Sequence, residues 1–236
     1  MKEKIRMKNA IRSTIVVSFI IIGISAILFT NALGQRSSRP RRGGMSGSEL
    51  EKAPIPKDDN EKKILSILDD IRATQSYRNV PPQDGRFLRI TAQAMNAKNV
   101  VEIGTSTGYS GIWFGMALQK TGGKLATYEI DAQRAATARA NFKRAGMADI
   151  ITLVEGDAHE EVKKLKDPID ILFLDADKEG YIDYLNKLLP LVRPGGLVIA
   201  HNINTRMADP KYMKAITTDP KLETIVRSGV SLTLKK

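Results

Sequence analysis

Between residues 99 and 203 the chain alternates short, uniformly apolar runs with longer amphipathic ones, and this rhythm constrains the fold more than any other feature. NVVEIG (99–104), KLATYEI (124–130), DIITLVEG (149–156), IDILFLDA (169–176) and GLVIAHNI (196–203) have the length and β-branched content of strands. IWFGMALQK (112–120), DAQRAATARANFKRAG (131–146), HEEVKKL and YIDYLNKLLPLV lie between them as helices, with Asp131 as an N-cap and Gly146 as a stop. Strands too evenly apolar for one-sided burial require helices on both faces, which predicts an α/β fold with a doubly wound, mostly parallel sheet. Two further helices are expected ahead of it, at 61–76 and 84–97. At the other end LETIVRSGVSLTLKK (222–236) predicts a hairpin turning at Ser228-Gly229, which adds an antiparallel element and brings the strands to seven.

The N-terminal part is organised differently. STIVVSFIIIGISAILFT (13–30) has no polar face and is close to the roughly 17–25 apolar residues that span a bilayer. With the basic lead MKEKIRMKNAIR it reads as a membrane anchor or a signal peptide, residues 1–34, with small residues at Ala32 and Gly34 that a signal peptidase would accept. Both flanks are basic, so orientation is not specified and the product is either membrane-anchored or exported. Residues 35–59, rich in Gly, Ser, Pro and charge, read as a flexible linker, leaving 60–236 as the folded domain. This division also explains the net charge of +11: residues 1–50 hold nine Lys or Arg against two Glu. The remainder has 28 basic and 24 acidic residues and no basic stripe interleaved with aromatics, which argues against a nucleic-acid partner. With no cysteine, disulfides and thiolate metal sites are excluded.

In a doubly wound sheet, ligands bind beyond the carboxyl ends of the strands. EIGTSTGYSG (102–111) follows the first strand as a Gly-rich turn opening a helix, suited to an anionic or nucleotide ligand, but its spacing departs from GxGxxG. Glu129 ends the second strand, either as a ribose acceptor or as a helix-capping acid, and GDA (156–158) follows the third. FLDADKEGY (173–181) sets Asp175, Asp177 and Lys178 at the end of the fourth, as a site or as a solvated turn. His159 is expected to be structural, on a surface helix.

EIGTSTGYS, TYEID, EGDA, FLDADKEGY and LVRPGGLVIAHN, in this order, resemble the cation-dependent small-molecule O-methyltransferases, the group of the catechol and caffeoyl-coenzyme A enzymes. The resemblance covers roughly residues 75–236 and implies a Rossmann-like seven-stranded domain that binds S-adenosylmethionine. It implies cofactor contacts at Val80, Glu102, Gly104, Thr105, Tyr109, Ser110, Glu129, Asp157, Ala158, Asp175 and Asp177. It also implies a divalent metal with Asp175 as first ligand, and Lys178 as general base toward a phenolic small molecule such as a catechol.

At one place the pattern breaks. Where the family has Asp-Asn as second and third metal ligands, this chain has His201-Asn202. Imidazole is a softer, uncharged ligand, so a retained site would disfavour Mg²⁺ relative to Mn²⁺ or softer ions. The alternative is a pocket histidine and no metal; retained Asp175 and Asn202 favour the metal. The expected activity is metal-assisted O-methyl transfer. The alternatives are metal-free transfer to another nucleophile, or a non-catalytic, membrane-tethered domain that binds S-adenosylmethionine. Expected partners are the phenolic acceptor, the membrane through the N-terminal segment, and, for a homodimer, a second copy of the chain.

Overall fold

The computed structural model describes residues 52–75 and 77–236, of which Ile55–Lys236 form one compact unit. The apolar run 13–30 and most of the linker lie outside the described residues, among which no helix is long and apolar enough to cross a membrane.

Two helices precede the sheet. Helix α1 (Asp59–Thr74) is capped by Asp58, whose side chain accepts from the Glu61 N–H, and it buries Ile64, Ile67, Leu68 and Ile71. That spacing places all four on one face, each contributing about 1.5–3 kcal/mol on burial. Helix α2 (Pro82–Ala94) begins two residues earlier than the sequence pattern suggests, because Pro at the first helical position needs no N–H partner.

The alternation then follows as strands β1 (Asn99–Ile103), β2 (Lys124–Glu129), β3 (Ile151–Glu155), β4 (Ile169–Leu174) and β5 (Val192–Ala200), with helices α3 (Tyr109–Thr121), α4 (Ala132–Arg144), α5 (Ala158–Glu161) and α6 (Tyr181–Leu188) between them. The segment HEEVKKL is a four-residue α-turn followed by a 3₁₀ turn, Val162–Lys164, rather than one helix. Helix α7 (Pro210–Thr218) forms where no element was expected, with Asp209 accepting from the Lys211 and Tyr212 N–H groups and Pro210 at the first position. Strands β6 (Leu222–Arg227) and β7 (Val230–Lys235) turn through Ser228 and Gly229, at φ 49° and 83°.

The seven strands run in the order β3-β2-β1-β4-β5-β7-β6. Pairings among β1 to β5 are parallel, and β7 lies antiparallel between β5 and β6. One core packs Leu68, Leu88, Phe114 and Phe142 against the sheet, and the other packs Tyr181, Leu185, Tyr212 and Ile216. The strand order reverses between β1 and β4, so a crevice opens beyond their carboxyl ends.

Candidate active site

The backbone ladder runs one residue past each strand end and lines up the site. Asp175 N–H donates to Ile103 C=O at 2.9 Å, His201 N–H to Leu174 C=O at 3.0 Å, and Gly104 N–H to Tyr128 C=O at 3.0 Å. Gly104, Asp175 and His201 thus emerge side by side from β1, β4 and β5. Gly104 is required there: its φ is +100°, and a Cβ would lie 2.4 Å from the Asp175 carbonyl oxygen.

Over these ends lies an open cavity of about 830 Å³. Its wall includes Val80, Gly104, Ser110, Glu129, Asp157, Ala158, Asp175 and Asp177. The N-terminus of α3 borders it, where Gly108 at φ 83° gives no side-chain cap and leaves N–H groups for a ligand. Glu129 is 5% exposed and already engaged: Oε1 accepts from Asp131 N–H and from Arg134, and Oε2 from Ser106 N–H at 2.8 Å. Oε2 keeps capacity for a second donor.

The side chains of Glu102, Thr105 and Tyr109 do not reach the cavity wall. Glu102 and Tyr109 point inward because β1 is buried on both faces and α3 is buried all round, and Thr105 is in the turn between them. Glu102 is fully buried and accepts from Ser110 Oγ at 2.5 Å and Thr127 Oγ1 at 2.6 Å, so it supports the wall from behind. Burial raises its pKa to about 7, with Asp175 and Glu129 adding to the effect and the two hydroxyls opposing it. Thr105 bonds Thr127, and Tyr109 packs edge-on to Trp113.

His159, expected as a structural surface residue, is on the cavity wall. The chain turns at Gly156, φ 148°, so the first residues of short α5 face the cleft. Its ring stacks on Tyr184 with centroids 4.2 Å apart, and Nδ1 lies 2.6 Å from Asp183 Oδ2. Tyr184 in turn donates to Asp177 at 2.9 Å.

At the β4 end Lys178 Nζ donates to Asp175 Oδ1 at 3.1 Å, Ala176 C=O at 2.9 Å and Tyr181 Oη at 2.7 Å. Three acceptors fix the amine beside the carboxylate. Tyr181, quoted in its motif but assigned no role from sequence, is the anchor: its hydroxyl lies 2.9 Å from Leu174 C=O and 3.1 Å from His201 C=O. Burial, reinforced by Asp175, pushes its pKa far up, so it stays a neutral phenol.

His201 Nε2 lies 2.9 Å from Asp84 Oδ2, a contact across 117 residues of chain that no local pattern announces. Its Nδ1 is 3.3 Å from Asp175 Oδ2 yet buried without a hydrogen bond. Burial lowers the ring's pKa, but Asp175 and Asp84 raise it further, to about 9. Among the described residues no three His, Cys, Asp or Glu side chains form a metal group. Asp175 and His201 do present two donor atoms at a separation suited to one ion, with Asn202 next in the chain at φ 60°. An unpartnered ring nitrogen beside a carboxylate fits a borderline divalent cation, which would replace the proton on Nδ1.

A doubly wound sheet with a Gly-rich turn, an acid at the second strand end and a lysine–carboxylate pair at the fourth defines a nucleotide-cofactor-binding α/β domain. Residues 58–233 match the O-methyltransferase family model, and the chain belongs to that family. It is 38% identical over 149 residues to a catechol O-methyltransferase of Niastella koreensis, covering 61% of this chain and 66% of that one. Against a catechol O-methyltransferase of Mycobacterium tuberculosis it is 37% identical over 125 residues, covering 52% and 56%. The chain therefore spans less than two thirds of the length of these two relatives. An O-methyltransferase from Bacillus cereus, solved in complex with SAH, superposes with a TM-score of 0.63 at 29% identity, over 77% of this chain and 93% of that one.

Proposed function

We infer that the protein transfers the methyl group of S-adenosylmethionine to a hydroxyl of a small phenolic acceptor with adjacent oxygens. The observation that carries this reading is the convergence of Lys178 and His201 on Asp175, which of the three is the one that lines the cavity over the strand ends. The SAH bound by the Bacillus relative and the catechol activity in the names of two others support the cofactor and acceptor class.

The cofactor's amino-acid end would lie by Gly104 and Ser110 under the α3 N-terminus, its ribose by Glu129 and its adenine by Asp157 and Ala158. Asp175 and His201, completed by Asn202, would hold a divalent cation, whose charge lowers the pKa of a bound phenol. Lys178, after losing its own proton, takes the hydroxyl proton on the amine lone pair. The phenolate oxygen then attacks the methyl carbon in line, the carbon–sulfur bond breaks, and its electrons leave on a neutral thioether. Tyr181 and the Ala176 carbonyl orient the amine throughout. Holding both reactants at this corner supplies most of the acceleration.

The test is methyl transfer to a vicinal diphenol, with chelator and add-back of Mg²⁺, Mn²⁺, Co²⁺ or Zn²⁺. Activity should vanish with chelator and return with metal. Cofactor binding without transfer under any metal would refute the enzymatic reading, and full activity with chelator would refute the metal. The apolar run 13–30 is proposed as an anchor or export signal, which carbonate extraction of membranes from cells making the full chain would test.

A further inference from the structure

We propose that Asp84 is the residue that makes His201 usable as a metal ligand, by orienting its ring so that Nδ1 and not Nε2 faces Asp175. This rests on the metal reading above and adds a residue and a selectivity to it. Asp84 sits in the first turn of α2, far in sequence from the β5 end, and its carboxylate reaches His201 Nε2 at 2.9 Å. With an N–H on Nε2 donating to that carboxylate, Nδ1 is the nitrogen left for a cation, which would displace its proton; it is buried, without a hydrogen bond and 3.3 Å from Asp175 Oδ2. A carboxylate behind a ligating imidazole fixes the ring and strengthens its nitrogen as a donor, and losing such a partner typically costs 10–100-fold in metal affinity.

Charge points the same way. Replacing a carboxylate ligand by imidazole removes one negative charge from around the ion, and Asp84 returns it one bond further out, through the ring. A set of one carboxylate, one imidazole and one amide suits Mn²⁺, Co²⁺ or Zn²⁺ better than Mg²⁺. Asp84 and His201 are 23% and 11% exposed, so the pair is shielded enough for its geometry to persist.

The experiment measures Mn²⁺ and Mg²⁺ affinities of the full chain by calorimetry and by electron paramagnetic resonance of Mn²⁺, with SAH affinity measured in parallel. Wild type is compared with Asp84→Asn, Asp84→Ala, His201→Asp and the double variant Asp84→Ala/His201→Asp. Asp84→Ala should weaken Mn²⁺ by about 10–100-fold, with Asp84→Asn intermediate because its amide oxygen still accepts from Nε2, and SAH affinity should be unchanged. In the His201→Asp background Asp84→Ala should cost no Mn²⁺ affinity, since no ring is left to orient. Nitrogen NMR of the Zn²⁺-loaded wild type should show the proton on Nε2. Mn²⁺ binding that is indifferent to Asp84→Ala, or a loss of the same size with or without His201, would overturn the role of Asp84 while leaving the metal site standing. No Mn²⁺ binding by wild type would overturn both. Should Asp84→Ala fail to fold, the milder Asp84→Asn and the NMR assignment still decide.

Discussion

The buried Glu102 allows a measurement in which the structure fixes both sign and size. Its carboxyl is fully enclosed at the end of β1, and burial lifts its pKa from 4.5 to about 7. In the unfolded chain the same group ionises near its ordinary value. Below pH 4.5 both states hold the proton and the group is neutral toward stability. As pH rises from there the unfolded state loses its proton first, so the folded state is the one binding more protons and stability falls. The fall is about 1.4 kcal/mol per pH unit and is complete once pH passes the folded value, for a total of roughly 3 kcal/mol. Glu102→Gln removes this titration and keeps an acceptor oxygen for Ser110 or Thr127. Urea unfolding of both proteins should therefore show the wild type losing ground to the variant by roughly 3 kcal/mol between about pH 4 and about pH 8. Groups titrating in both proteins cancel in this difference. A difference that stays flat, or that turns in favour of the wild type as pH rises, would refute the account of an enclosed carboxyl.

Lys178→Ala should lower kcat by about 100-fold or more while leaving SAH affinity near wild type, as expected for loss of a proton acceptor and not of a binding contact, read by steady-state kinetics and calorimetry. Gly104→Ala must push a Cβ into the Asp175 carbonyl, 2.4 Å away, at a φ of +100°; a drop of at least about 2 kcal/mol in stability with loss of SAH binding is expected, and a stable, binding variant would contradict the close approach of β1 and β4. His159→Ala removes the ring stacked on Tyr184 from the cavity wall and should weaken SAH by about 10-fold with kcat at saturation little changed. His201→Asp should move the metal preference toward Mg²⁺, measured as the ratio of Mg²⁺ to Mn²⁺ affinity.

The sheet was readable from the chain because its signals are local. Five evenly apolar runs, the helices between them and the Ser228-Gly229 turn each depend on residues a few positions apart, and backbone sterics and burial act at that range. The same holds for Gly104 and for the clustering of Asp175 with Lys178, three residues apart. Helix α7 is the harder case: its Asp209-Pro210 start is a local cue and Tyr212 and Ile216, four apart, form its buried face, but nine residues show the period over little more than two turns.

The tertiary structure decided what lies behind the motifs. Whether Glu102 lines the cavity or supports it, whether His159 faces solvent or the cleft, and which atom of His201 is free all depend on how one strand end is set against its neighbours. Asp84 is the sharpest case: in the sequence it is one acid in the first turn of a helix, and 117 residues separate it from the ring it contacts. Side-chain direction in a parallel sheet follows from pairing across the chain, which no stretch of residues encodes by itself.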